Sequence, residues 1–444
     1  MSTTVPSPPR SAQIGFWMAV ALVMGNMIGS GVFLLPASLA PFGGVSLIGW
    51  VVSAAGAVLL ALVFVRLARF NPAAGGPYAY TRQAFGDLAG FLVAWGYWIS
   101  VWSAMAAIAV AFVGYLDPFI PSLVRAPVPG AMIAVAALWV LTGVNVWGVR
   151  TAAWVQLVTT VLKILPLVVI GIAGLFALQP AHFAIADTSV GTLAKGVTST
   201  ATLTLWAFTG LECATIAAGS IRNPERTVPR ATLLGTLLTA VIYIVCTVGV
   251  MGVLDPALLA HSTAPFADAA RTLAGNRAAA FIALGAATAC FGALNGWILI
   301  GGQLPLAVAQ DGLFPQVFGR LSKRGTPALG MIIGSALATA LIAMNYSRGL
   351  VNLFTFIILL STLGTLVPYV FCSLAGFILQ RRRPAQGAGG EQPRLPWSTG
   401  AAIIAGLAFL YSLWAIGGAG TDVIYWGFLL LMAGLPVYVW VAKS

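Results

Sequence analysis

Twelve apolar segments, each long enough to approach or span a bilayer as a helix, dominate this chain of 444 residues. They lie at 14–38, 43–68, 85–115, 129–147, 152–178, 194–220, 231–253, 277–303, 327–346, 350–380, 398–416 and 423–441. Only 7% of the residues are charged, whereas a soluble domain carries about 25%. Because backbone polar groups in lipid need internal partners, such segments fold as helices. The sequence therefore predicts an all-α membrane protein with twelve transmembrane helices and no soluble domain.

The basic residues are distributed unevenly between the two sides of these segments. With the N-terminus inside, the inner loops hold 16 Lys and Arg residues and the outer loops hold 5. Positive charge concentrates on the cytoplasmic side of membrane proteins. We therefore expect a multi-pass protein of a bacterial inner (plasma) membrane with both termini in the cytoplasm. The net charge of +12 follows this topology and does not indicate a nucleic-acid partner.

Composition along the chain predicts four regions. Residues 1–13 lack the pattern of a cleaved signal and form a cytoplasmic tail. Residues 14–380 form a ten-helix core, and the polar, Gly- and Pro-rich stretch 381–397 is a cytoplasmic linker. Residues 398–444 add two peripheral helices and a short C-terminus.

Two segments carry helix-breaking residues at matching places. The first contains VMGNMIGSGVF at 23–33, and the sixth contains LWAFTGLE at 205–212. Gly25 and Gly29 also fit a GxxxG packing seam, which is the alternative interpretation. Interrupted segments five helices apart indicate an inverted repeat with a binding site near the membrane midplane. We therefore predict broken helices 1 and 6 in a five-plus-five repeat.

The broken helices offer groups for both ends of an α-amino acid. After the first break, the N–H groups of Ser30 and Gly31 begin a half-helix whose positive dipole end suits a carboxylate. The carbonyls of Met27, Trp206 and Thr209 suit an ammonium group. A site that accepts both charges predicts an amino-acid ligand.

Two ionisable residues lie deep in the predicted spans, Lys163 and Glu212. Charges inside membranes are functional by default. Lys163 lies too deep to reach the surface easily, so we expect it to exchange a proton during transport or to brace the first break. Glu212 carries protons, binds substrate or pairs statically with Lys163, and the sequence leaves these roles open.

The residues needed for an enzyme are absent from the predicted spans. Deep inside these spans there is no histidine and a single acid, Glu212, so no nucleophile–base pair, carboxylate pair or metal-ligand set is available there. Rings of charge or a repeated filter sequence, which indicate a channel, are missing as well. We therefore predict a transporter with no catalytic residue, no metal and no cofactor.

Six motifs resemble one known superfamily. They are GNMIGSGVFLLPA (25–37), GGPYAYTRQAFG (75–86), LWAFTGLECATIAAG (205–219), RNPERTVPRAT (222–232), GWILIGGQ (296–303) and DGLFP (311–315). They resemble the amino acid–polyamine–organocation superfamily, and most of all its bacterial arginine/agmatine antiporter group. The resemblance covers about 14–441 and implies a LeuT-like five-plus-five inverted repeat, alternating access and a homodimer in the lipid bilayer.

The resemblance also implies roles for individual residues. It assigns the carboxylate site to Ser30 and Gly31 and the amine-binding carbonyls to Met27, Trp206 and Thr209. The implied gating residues are Tyr97, Trp206, Trp297 and Tyr369, with Glu212 beside them, and the implied polar pocket residues are Asn26 and Ser361. Apart from the resemblance, the position of Tyr78 beside the second cytoplasmic loop makes it a candidate gate of the inner exit, with packing in that loop as the alternative.

The chain departs from the arginine/agmatine pattern in two places, on the third predicted helix and at Lys163. Met105 stands where that group has the asparagine of a WIGN motif, and Ser100 and Val101 replace the small pair before it. A thioether cannot replace an amide as acceptor for a cation. Lys163 instead matches proton-coupled and neutral-amino-acid members. The sequence thus favours a general L-amino-acid transporter, exchanging or proton-driven, over the alternative of a strict arginine/agmatine-type antiporter that also accepts an amine.

Overall fold

The computed structural model describes residues 15–70, 76–147, 167–185, 187–212, 221–381 and 398–443. These residues form helices joined by short turns and contain no β-strand. In chain order the helices are α1 (Phe16–Met27), α2 (Ser30–Leu39), α3 (Val45–Phe70), α4 (Pro77–Phe85), α5 (Asp87–Gly114), α6 (Pro121–Val124), α7 (Pro127–Trp147), α8 (Leu167–Phe176), α9 (Val190–Leu205), α10 (Pro224–Val253), α11 (Pro256–Leu259), α12 (Pro265–Gln310), α13 (Ala328–Asn345), α14 (Leu350–Arg381), α15 (Thr399–Gly417), α16 (Thr421–Met432) and α17 (Gly434–Lys443).

Nine helical stretches in the described part of the chain are long and apolar enough to cross a membrane. They are α3, α5, α7, α10, α12, α13, α14, α15 and the pair α16–α17. Shorter apolar helices, α1, α2 and α8, lie within two further predicted segments. The prediction of an all-helical multi-pass membrane protein is confirmed. The tail 1–13, Lys163 and residues 382–397 of the predicted linker lie outside the described residues.

Some helices run beyond the apolar segments that predicted them. The segment at 277–303 lies within α12, which spans 46 residues and bends at Gly275. Gly275 has a φ of 81°, a left-handed conformation that glycine adopts at little cost. Hydropathy identifies only the apolar part of a helix, so the polar turns at each end of α12 lie outside the predicted segment.

Helix α5 forms the centre of the molecule. In its most apolar stretch of 18 residues 94% are buried, against 11% in the corresponding stretch of α16–α17. Its main neighbours are α14 and α12. The contact with α14 depends on glycine, because a Cβ added to Gly364 would lie 2.7 Å from the Gly96 carbonyl oxygen. Small residues of this kind let membrane helices approach closely, which is how they gain packing energy in lipid.

We expect Gly364→Ala to destabilise the protein by about 1–3 kcal/mol, because the added methyl overpacks the α5–α14 contact. The matched control is Gly376→Ala on the same helix, where no atom lies within 4 Å of an added Cβ. Thermal unfolding of both purified variants in detergent should give a lower melting temperature for Gly364→Ala only. Equal melting temperatures would contradict the proposed close contact.

Candidate functional site

The first predicted break lies between α1 and α2. Helix α1 ends at Met27 and α2 begins at Ser30, while Ile28 (ψ 85°) and Gly29 (φ −120°, ψ −147°) are not helical. The segment is therefore a break and not a continuous packing seam. Gly29 is the N-cap residue and has no side chain to accept hydrogen bonds from the first turn of α2. The side chains of Asn26 and Ser30 lie outside what the structure describes.

The second break follows α9. The chain makes a 3₁₀ turn at Trp206–Phe208 and then a turn that reaches Glu212. Gly210 has a φ of 101°, so the reversal requires a residue without a Cβ. The Trp206 carbonyl accepts hydrogen bonds from the Thr209 N–H (3.1 Å) and the Thr209 hydroxyl (2.7 Å).

The two breaks touch each other. A Cβ added to Gly31, in the first turn of α2, would lie 2.8 Å from the Trp206 ring. The Trp206 ring is buried and meets Phe354 of α14 edge to face at 5.5 Å. The carboxylate-binding turn implied by the sequence thus lies directly against the aromatic residue of the second break.

Tyr243 of α10 connects both breaks, and the sequence did not single it out. Its hydroxyl oxygen lies 2.5 Å from the Met27 carbonyl and 3.0 Å from the Ala207 carbonyl. A hydroxyl has one proton, so the two carbonyls share one donor. The ring is fully buried and packs against Trp50 and Phe208. A hydroxyl inside an apolar segment needs a partner, which was the available signal, but the sequence does not say which acceptor.

Two of the three predicted ammonium acceptors already carry protein hydrogen bonds. The Met27 carbonyl accepts from the Gly29 N–H (2.8 Å) and from the Tyr243 hydroxyl (2.5 Å), whose single proton it shares with the Ala207 carbonyl. The Trp206 carbonyl accepts both of its hydrogen bonds from Thr209. The Thr209 carbonyl accepts no hydrogen bond from the described residues. A ligand ammonium group must displace protein donors at Met27 and Trp206, or bind at Thr209.

Glu212 lies at the end of the second break and is fully buried. Its two carboxylate oxygens accept hydrogen bonds from the Tyr97 hydroxyl of α5 (2.6 Å) and the Tyr369 hydroxyl of α14 (2.9 Å). The Gly210 N–H also donates to the carboxylate. The structure therefore brings three predicted gating residues into one cluster that joins the break to α5 and α14.

A second polar cluster lies on the same two helices. The Trp206 indole N–H donates to the Ser361 hydroxyl at 3.2 Å, and that hydroxyl lies 2.9 Å from the Ser100 carbonyl. The Ser100 hydroxyl lies 2.5 Å from the hydroxyl of Thr365, a residue that no sequence motif singled out. Trp206, Ser100 and Ser361 thus form one network, as expected for residues of a single site.

The remaining predicted pocket residues lie along α5 and α12. Val101 and Met105 are fully buried. The Met105 sulfur lies 3.3 Å, and Val101 Cγ1 3.5 Å, from a Cβ built on Gly301 of α12. Trp297, also buried, precedes Gly301 by one turn of that helix. Met105 therefore packs at the α5–α12 interface.

Tyr78 belongs to a separate cluster. Its hydroxyl donates to the Asp311 carboxylate just beyond the end of α12, and Arg82 donates to the same hydroxyl at 3.3 Å. Arg82 also pairs with Asp87 at 2.7 Å. Burial, followed by the hydrogen bond to Asp311, raises the pKa of the Tyr78 phenol, so the phenol stays protonated and able to donate.

The chain is similar to known membrane transporters over most of its length. Residues 14–442 match the family model described as amino acid permease. The chain is 38% identical over 374 residues to the cadaverine/lysine antiporter of Escherichia coli (strain K12), which covers 81% of this chain and 82% of that protein. It is 35% identical over 465 residues to the putative arginine/ornithine antiporter of Bacillus subtilis (strain 168), with 97% of each chain covered. It is 30% identical over 433 residues to the putrescine transporter PotE of Escherichia coli (strain K12), again with 97% of each covered.

These matches confirm the superfamily that the sequence motifs resemble and exclude an enzyme. With its interrupted apolar helices and matching residues 14–442, the chain belongs to the amino acid permease family, whose members are membrane transporters.

Proposed function

We propose that this protein exchanges L-amino acids by alternating access, with the substrate held between the two helix breaks. The observation that carries the proposal is the contact of the breaks. The carbonyls of Met27 and Ala207 both lie within 3.0 Å of one hydroxyl oxygen, so a single small polar group spans them. The first turn of α2 lies beside them at Gly31 and offers N–H groups to a carboxylate.

In this proposal the chain has twelve spans arranged as a five-plus-five inverted repeat. The bundle formed by segments 1, 2, 6 and 7 rocks against the other helices while the site stays at the interface. Trp206, Trp297 and the Glu212 cluster close over the substrate, and the Tyr78–Asp311 hydrogen bond closes the inner exit. The protein acts in a bacterial plasma membrane, with both termini cytoplasmic, as a homodimer.

Two substrate classes are supported by different observations. The relatives named above are antiporters or transporters of lysine, ornithine, arginine and diamines, and the buried carboxylate of Glu212 suits a cationic side chain. The second class is neutral amino acids moved with protons. It is supported by Met105, which offers no amide to a cation, and by Lys163, which lies outside the described residues.

Exchange in proteoliposomes distinguishes these classes. Vesicles are loaded with arginine, lysine, ornithine, cadaverine, leucine or alanine, and uptake of each labelled compound is measured with and without a proton gradient. An exchanger takes up label only into vesicles that contain substrate. We expect this result, with lysine or ornithine preferred. Uptake of leucine into empty vesicles under a proton gradient would instead support proton coupling through Lys163.

We expect Tyr243→Phe to lower the exchange rate roughly tenfold, because it leaves two buried carbonyls without their shared donor while keeping the ring. The matched control is Tyr115→Phe, since the Tyr115 hydroxyl also donates to a buried carbonyl, that of Phe33, at 2.5 Å. Both variants should lose similar thermal stability. Only Tyr243→Phe should change the KM for amino acids, and an unchanged KM and rate would contradict its role at the breaks.

We expect Glu212→Gln to reduce uptake of lysine about tenfold more than uptake of leucine, because it removes a negative charge from a low-dielectric site. The matched control is Glu225→Gln, at an exposed position in the first turn of α10. Uptake of both substrates is measured under identical exchange conditions. If lysine and leucine uptake fall by the same factor, the role of Glu212 is limited to accepting the hydrogen bonds of Tyr97 and Tyr369.

A further inference from the structure

A crevice of about 290 Å³ lies between α3, α14 and α15, away from the two breaks. Its lining includes Arg66, Ser373, Gly376, Phe377 and Ser398. Arg66 lies four residues before the end of α3, Gly376 lies five before the end of α14, and Ser398 precedes the first residue of α15. Each of the three positions therefore lies within about 8 Å of a helix end, namely the C-terminus of α3, the C-terminus of α14 or the N-terminus of α15. Because they line one crevice, these three ends lie at one face of the membrane.

The crevice has a positively charged mouth and an apolar wall. Arg66 supplies a cation, and the N-terminus of α15 adds the positive end of a helix dipole. Ser398 caps that helix by accepting the Ala401 N–H at 3.4 Å. The wall is apolar and includes Leu62, Phe377 and other aliphatic side chains. A positive mouth above an apolar wall matches a molecule with an anionic head and a hydrocarbon tail.

We propose that this crevice binds an anionic phospholipid, with its phosphodiester at Arg66 and an acyl chain along the apolar wall. The volume accommodates a head group, the glycerol and the first part of one acyl chain, while the remainder of both chains lies in the surrounding bilayer. Basic pockets between transmembrane helices on the cytoplasmic side are typical sites for such head groups.

The site connects helices that the transport cycle separates. In the proposed mechanism α3 belongs to the rocking bundle, whereas α14 and α15 do not. A head group held at Arg66 and at the α15 N-terminus therefore couples the moving part to the stationary part, and the exchange rate depends on the anionic lipid. This regulatory step rests on the proposed function, but binding of the lipid does not.

Native mass spectrometry of the full chain measures the binding step. The purified protein is reconstituted with phosphatidylcholine and phosphatidylglycerol in equal amounts, and the retained lipids are quantified. We expect phosphatidylglycerol to be enriched on the native protein and Arg66→Ala to lower the enrichment about fivefold, with Arg66→Lys largely retaining it. Lys323→Ala, an exposed cation in the loop after α12, is the control and should behave like the native chain.

A second variant tests the cavity without changing the charge. Gly376→Leu places a side chain into the crevice where no atom lies within 4 Å of its Cβ, so it should block the lipid and leave the fold intact. Equal retention of both lipids by the native protein, or full enrichment in both Arg66→Ala and Gly376→Leu, would overturn the site.

Exchange assays in the same lipid mixtures test the regulatory step. We expect phosphatidylglycerol to change the exchange rate of the native chain and of Lys323→Ala, and to leave that of Gly376→Leu unaffected. If phosphatidylglycerol binds but does not change the exchange rate, the proposed coupling of lipid binding to transport is wrong and the binding site stands. Absence of exchange in every mixture would contradict the proposed function, while lipid retention would still report on the site.

Discussion

Backbone groups inside a bilayer need hydrogen-bond partners, and each helix break releases several of them. The first break satisfies the Met27 carbonyl with the Gly29 N–H and with the Tyr243 hydroxyl from another helix. The second break satisfies the Trp206 carbonyl locally, through Thr209. Helix α10 must therefore pass beside both breaks, and this requirement fixes how the two interrupted segments face each other. The position of the proposed binding site therefore depends on which helices supply these hydrogen-bond partners.

The packing of α5 on α14 determines the polar chemistry around the breaks. Gly96 and Gly364 are in contact, and both lie close in sequence to residues of the two polar clusters. Tyr97 follows Gly96 and reaches Glu212, whereas Ser361 and Thr365 flank Gly364 and reach Ser100 and the Trp206 indole. A larger residue at the contact would move the helices apart and shift both sets of hydroxyl groups. Helix packing and the geometry of the site are thus not independent.

Hydropathy and the polar, glycine-rich patterns predicted the helical class and the two breaks, because both are properties of the local sequence. Residues expected together from motif resemblance, such as Ser100, Ser361 and Trp206, share one network in the structure. Tyr243 was missed because α10 is apolar along most of its length, so periodicity does not tell which of its faces meets the breaks. The contact of Met105 with Gly301 was missed for the same reason, since it depends on the rotation of α5 against α12.

The hydrogen bonds that the protein forms within the two helix breaks influence which ligands the proposed site favours. Tyr243 and Thr209 donate hydrogen bonds to two of the expected ammonium acceptors, the Met27 and Trp206 carbonyls, so the amine side of the proposed site already has protein partners. The carboxylate side is different, because Gly29 offers the first turn of α2 no side-chain cap. Each buried polar group left unpaired costs about 1–3 kcal/mol. In the proposed function, closure without a substrate would leave the first N–H groups of α2 without a side-chain acceptor at Gly29, whereas the carboxylate of an amino acid would pair with them, which favours exchange over return without substrate. Under the same proposal a diamine, which has no carboxylate, would leave these N–H groups unpaired, so the proposed site would favour amino acids over diamines.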